Sequence, residues 1–222
     1  MVPTIEKIEK QKRGPGVNLV VNGSTWITVH RDVVFDCAVR RGDPATEALR
    51  GRLESTDANH HAYASALLLL SYRPRAEGEL RLRLRLRRKG LPEAAIDDAL
   101  VRLRRTGLVD DEQFSRAWVE NRGSGASARG RSLLAAELRA KGIDSETITE
   151  ALAGTDESEL ALAAARPRAA RLAGLEYGDF RRRLAGFLQR RGFGYDATAS
   201  AVRQLWRELG QESDQDEGDR TV

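Results

Sequence analysis

Arginine is the side chain through which this chain is best equipped to act. It outnumbers lysine 32 to 5 in 222 residues, and its planar guanidinium matches carboxylate and phosphate oxygens. The densest stretch, residues 72–105, holds eleven basic residues against five acidic ones, a local excess of +6. Such a patch attracts phosphate backbones or acidic protein surfaces. The same composition also fits a solvated helix face, and composition alone leaves both readings open.

Groups for covalent or acid–base catalysis are not arranged at useful spacing. There is no Gly-x-Ser-x-Gly, no His-Glu-x-x-His and no cysteine–histidine pair set for nucleophilic attack, so an enzyme is not expected. Cys37 is the sole cysteine, which excludes an internal disulfide. With His30, His60 and His61 as the other soft ligands, no zinc-type spacing exists, and neither a metal nor a cofactor is expected. His60-His61 reads as a solvated helix start. The run from Gly123 to Gly130 lacks Gly-Lys-Ser/Thr and has the wrong glycine spacing for a phosphate loop, so it reads as a flexible loop. Trp118 follows Phe114 by four residues, the spacing of core packing on one helix face.

Charge is uneven. Residues 211–222 carry Glu212, Asp214, Asp216, Glu217 and Asp219 against Arg220, a net of −4, so the remaining body carries +8 and the whole chain +4. The tail reads as disordered. No apolar run approaches the roughly 18–20 residues of a membrane span, and the N-terminus has no apolar leader core, so a soluble cytoplasmic protein without membrane contact is expected.

The elements that must hold these arginines are set out by an internal echo. Leu86-Arg-Arg-Lys-Gly90-Leu91 returns as Leu138-Arg-Ala-Lys-Gly142-Ile143 and, loosened, as Leu188-Gln-Arg-Arg-Gly192-Phe193. The glycines are 52 and 50 residues apart, a period of stacked helical units. Ile96, Ile148 and Thr198 stand six after each glycine, which makes the echo a packing scheme. Each glycine occupies the place where a left-handed residue ends a helix.

Helices are expected near 61–71, 76–89, 92–105, 110–122, 127–141, 145–153, 156–174, 177–191 and 196–209. Asp110 with Gln113 and Asp156 with Glu159 supply capping pairs, and Pro92 opens its helix. Leu80 to Arg87 alternates strictly, a strand pattern, but the repeat register favours a helix with Leu82 and Leu86 inward and Leu80 and Leu84 partly covered. Upstream, residues 17–21, Asn22-Gly23 and residues 25–29 predict a β-hairpin with a tight primed turn. Residues 32–39 lean to a short helix. Asp43-Pro44 predicts a helix to about Leu53, and residues 54–60 look like a linker.

The fold class that follows is mainly α: three tandem three-helix modules in an elongated curved array, preceded by a small N-terminal region containing a β-hairpin. The expected divisions are 1–57, 58–106, 107–154, 155–210 and the tail 211–222.

Several motifs carry a family likeness. Arg73-x-Arg75-Ala-Glu-x-Glu79-Leu80, Lys89-Gly90, Leu108-Val-Asp-Asp111-x-x-Phe114-Ser-x-x-Trp118-Val-x-x-Arg122 and Gly130-Arg-x-x-Leu134-x-x-Glu137-Leu138-x-x-Lys141-Gly142-Ile143 resemble the RecX family of recombinase regulators. The middle module is the most specific match. The N-terminal stretch through Arg40-Arg-Gly42-Asp43 is similar to the extension of longer members. Ala76 stands where Ser or Thr is frequent, and Leu91 where an aromatic is common. The resemblance implies a non-enzymatic protein that binds the groove of the RecA–single-stranded DNA filament and inhibits its ATPase, recombinase and coprotease activities. It also implies direct contact with single- and double-stranded DNA through backbone phosphates. The candidate contacts are Arg73, Arg75, Arg81, Arg85, Arg88, Lys89, Arg129, Arg131, Arg139, Lys141 and Arg191. Glu79, Asp111 and Glu137 are read as holders of helix ends. The competing reading is a DNA-binding transcriptional regulator using helix-turn-helix-like modules. A monomer is expected, because the repeats bury one another.

Overall fold

The computed structural model describes residues 2–86 and 90–210. Arg88, Lys89 and the acidic stretch 211–222 lie outside the described residues. The chain divides into two compact units, Met1–Val109 and Asp110–Val222.

The first unit opens with an antiparallel sheet of β1 (Lys7–Lys10), β2 (Gly16–Val21) and β3 (Ser24–His30), in that spatial order. Asn22 and Gly23 both have positive φ, at 50° and 73°, the primed-turn geometry that Asn-Gly favours. Val17 pairs with Val29 and Leu19 with Ile27, so the buried valines and leucine line one face. Asn18 and Thr28 pair on the other, where the Thr28 hydroxyl donates to Asn18 Oδ1 at 2.8 Å. Strand β1 was not legible from the sequence. All four of its residues are exposed, so no apolar alternation announces it.

Two helices follow, α1 (Arg31–Asp36) and α2 (Glu47–Leu70). The start of α2 corrects the expected cap. The Asp43 carboxylate accepts from the Arg40 amide at 2.8 Å and closes a turn, while Thr46 caps the helix by accepting from the Leu49 amide at 3.1 Å. The linker expected at 54–60 is also overturned, because α2 runs unbroken through it. That stretch is polar because it has polar partners. Asp57 accepts from the His30 amide at 2.7 Å, and Thr56 lies 3.6 Å from Cys37 Sγ. His60 and His61 therefore stand inside a helix and do not start one.

Near its N-terminal end α2 contributes Leu53 to a cluster with Ile5, Val17, Leu19, Val29 and Val33. Farther along it contributes Ala66 to a second cluster formed with α3 (Glu77–Arg85) and α4 (Glu93–Arg105): Leu80, Leu84, Ile96, Leu100 and Leu103. The alternating Leu-Arg segment is helical, as the repeat predicts, but the inward pair is Leu80 and Leu84, both wholly buried. Leu82 is 56% exposed and Leu86 75%. The cause is a register offset. In burial Leu80 and Leu84 match Leu134 and Leu138, which follow them by 54 residues, whereas Gly142 follows Gly90 by 52. The first module thus has two extra residues between its second helix and its glycine, which the sequence echo concealed.

The second unit consists of α5 (Asp111–Arg122), a 3₁₀ turn (Gly125–Ser127), α6 (Arg131–Arg139), α7 (Ser145–Ala153), α8 (Glu157–Arg171), α9 (Tyr177–Arg190) and α10 (Tyr195–Glu208). The Asp110 side chain accepts from the Gln113 amide, and Asp156 from those of Ser158 and Glu159, as their spacing predicts. Gly90, Gly142 and Gly192 all take positive φ, at 57°, 84° and 80°.

The third module's core joins Phe180, Leu184, Leu188, Val202, Leu205 and Trp206 to Ala128 from the second. The two modules meet backbone to backbone. Gly130 donates to the Arg191 carbonyl at 2.8 Å and Ser132 to that of Gly192 at 3.2 Å. A Cβ on Gly130 would collide with the Gly192 carbonyl, and one on Gly192 with Leu133. Glu157 completes the seam by accepting from the amides of Arg131 and Gly194, at 3.1 and 3.2 Å. Among the described residues, no helix is long and apolar enough to cross a membrane.

Candidate interaction surface

Six arginines of the first module's basic segment are paired from within. Glu79 collects three arginines: Arg73 at 2.5 Å, Arg83 at 3.2 Å, and Arg75, whose guanidinium is buried and also donates to the Leu69 carbonyl at 3.1 Å. Burial would raise the Glu79 carboxyl, but hydrogen bonds from Arg73 and Arg83, with Arg75 beside them, outweigh it and hold it at about 2. Arg81 spans Glu93 at 2.6 Å and Asp97 at 2.5 Å, tying α3 to α4. Arg85 grips Glu93 at 2.6 Å, and the hydrogen bond from Arg85 foremost holds that carboxyl at about 2. Arg104 reaches Glu77 at 2.8 Å. These guanidiniums hold helices together before they can meet a partner.

Arg129 and Glu137 form the corresponding brace in the second module. Glu137 also accepts from Trp118 Nε1 at 2.9 Å and lies 3.6 Å from Arg122. Trp118 stacks on Phe114 with ring centroids 5.6 Å apart, but it is only half-buried. Arg122 lies 3.4 Å from its ring centre and Lys141 4.1 Å. Cation–π contact adds to the packing that the four-residue spacing predicts. Arg191 bonds the carbonyls of Ala126 and Ala128 and lies 4.6 Å from the Phe187 ring, so it braces the seam between modules. Glu79 and Glu137, expected to hold helix ends, bind arginines instead.

Arg131 and Arg139, both on α6, are exposed and form no ion pair among the described residues. Helix α9 adds a set missed by the sequence reading. Arg181, Arg182, Arg183 and Arg190 are all exposed, and only Arg182 has an acidic partner among the described residues, Asp179 at 2.7 Å. The run Arg181-Arg-Arg183 was the available signal. Among the described residues, α6 and α9 thus present arginines without acidic partners, while Arg73, Arg75, Arg81, Arg83, Arg85 and Arg104 of the first module are paired internally.

Matches to known proteins agree with this architecture. Residues 62–103 match the first three-helix domain of RecX, 110–152 the second and 155–202 the third. The regulatory protein RecX of Amycolatopsis mediterranei is 36% identical over 130 residues, covering 57% of this chain and 74% of the relative. That of Streptomyces coelicolor is 38% identical over 139 residues, covering 60% and 72%. A crystal structure of a regulatory protein RecX superimposes with a TM-score of 0.70 at 24% identity, over 95% of this chain and all of the other. RecX from Lactobacillus salivarius does so with 0.61 at 23% identity, over 68% and 97%. The two structures bear on the fold, and the domain matches with the two sequence relatives carry the conclusion that this chain belongs to the RecX family.

Proposed function

We propose that this protein binds the groove of a RecA–single-stranded DNA filament and restrains its ATPase, recombinase and coprotease activities, with direct phosphate contacts to single- and double-stranded DNA. The observation that carries the reading is the tandem of three RecX-type domains in which α6 and α9 leave arginines unpaired. A surface bearing free guanidiniums complements a groove that presents acidic protein and phosphate together. Arg131 and Arg139 on α6, joined by Arg181 and Arg183 on α9, are the residues assigned to that surface. The other candidates, Arg73, Arg75, Arg81, Arg85, Arg129, Lys141 and Arg191, contribute where an acidic partner or phosphate competes with their internal contacts. Arg88 and Lys89 remain in the proposal on the family resemblance.

The test is the ATPase of a preformed RecA filament titrated with this protein. Inhibition at or below one protein per recombinase is expected, with affinity for DNA that falls as salt rises. Absence of inhibition, alongside tight binding to one specific duplex, would favour a transcriptional regulator instead.

A further inference from the structure

The N-terminal unit gathers three potential metal ligands that are far apart in sequence. His30 ends β3, Asp32 lies in the first turn of α1, and His60 projects from α2. One ligand atom from each falls within 4.8 Å of the others. Asp32 Oδ2 is the hub, 3.5 Å from His30 Nδ1 and 3.7 Å from His60 Nε2. A four-coordinate ion with bonds near 2.1 Å holds its ligand atoms about 3.4 Å apart, so both separations are close to those of a formed site.

The surroundings favour a ligand over simple packing. The two imidazoles are stacked with centroids 4.0 Å apart. His60 makes no hydrogen bond among the described residues. Its Nδ1 is buried without a partner, and its Nε2 faces the Asp32 carboxylate. His30 is anchored by its own amide, which donates to Asp57 on α2 at 2.7 Å. The half-buried His60 ring and the exposed Asp32 carboxylate are the parts able to adjust around an ion.

We propose that His30, Asp32 and His60 form a site for a divalent transition-metal cation, which clamps the β3–α1 corner onto α2. Two imidazoles and one carboxylate suit zinc, cobalt, nickel or copper over magnesium or calcium, and water completes the coordination. The His30 nitrogen that now accepts from the Asp32 amide at 3.2 Å gives up a long hydrogen bond in exchange.

The test uses the full chain, stripped with a chelator and titrated with cobalt(II) or zinc(II). One ion per chain is expected, with cobalt giving the visible absorption of a four- or five-coordinate centre. At about 100-fold excess over the dissociation constant, the unfolding midpoint should rise by roughly 5 °C. His60→Gln and Asp32→Asn should each weaken binding by more than about 100-fold with unchanged circular dichroism, whereas His61→Gln should stay within about threefold. No saturable cobalt binding would overturn the proposal. So would binding that survives His60→Gln, or binding lost equally in His61→Gln, which would place the ion on the Asp57–His61 pair instead.

Discussion

Glu79 sets a pH limit on the first module. Its folded value of about 2 lies below the ordinary carboxylate value of 4.5. The unfolded chain therefore takes up protons first on acidification. The stabilisation is fully present above about 4.5 and lost as pH falls through about 2. Glu79→Gln is expected to cost on the order of 2 kcal/mol at pH 7 and to flatten the loss of stability between pH 5 and 3, read by urea unfolding. At the seam of the second unit, Gly130→Ala forces a Cβ into the Gly192 carbonyl. It should cost about 1–3 kcal/mol. Gly178→Ala, inside α9 with open space around it, should instead stabilise by roughly 0.5–1 kcal/mol. Differential scanning calorimetry separates the two signs.

Elements were legible where an apolar period, a cap and a glycine stop coincided, as in α5 and α7. They were obscured where polar residues face polar partners. The stretch 54–60 has the composition of a linker because its side chains serve His30 and Cys37 across a gap that sequence cannot display. The inward face of α3 was misassigned for a related reason: in Leu-Arg alternation every other position is a leucine, so only the packed core chooses between Leu80/Leu84 and Leu82/Leu86. Leu84→Ala should accordingly cost about 2–5 kcal/mol, while Leu82→Ala should change stability by less than about 0.5 kcal/mol. Equal effects in thermal unfolding would refute the assigned face. The candidate contacts were less legible than the fold, since an arginine paired with Glu93 and one facing solvent look alike in one dimension.

Across the whole molecule, that distinction separates two kinds of arginine variant. Charge reversal of Arg81 and Arg85 sets four acids against one another around Glu93 and Asp97. It should lower the unfolding midpoint and weaken filament inhibition in parallel. Reversal of Arg131 and Arg139, or of Arg181 and Arg183, should leave the midpoint within about 1–2 °C. Those variants should nevertheless raise the concentration needed for half-inhibition of the RecA ATPase by tenfold or more, with a shallower salt dependence of DNA binding. The unbroken α2 has its own outcome at this scale. Twenty-four residues of helix make a rod about 36 Å long shared by the sheet cluster and the first module's cluster. Neither core can melt without fraying the rod that the other rests on. The two should therefore unfold in a single cooperative transition, and a protease that readily cuts polar linkers should leave residues 54–60 intact until both are lost together.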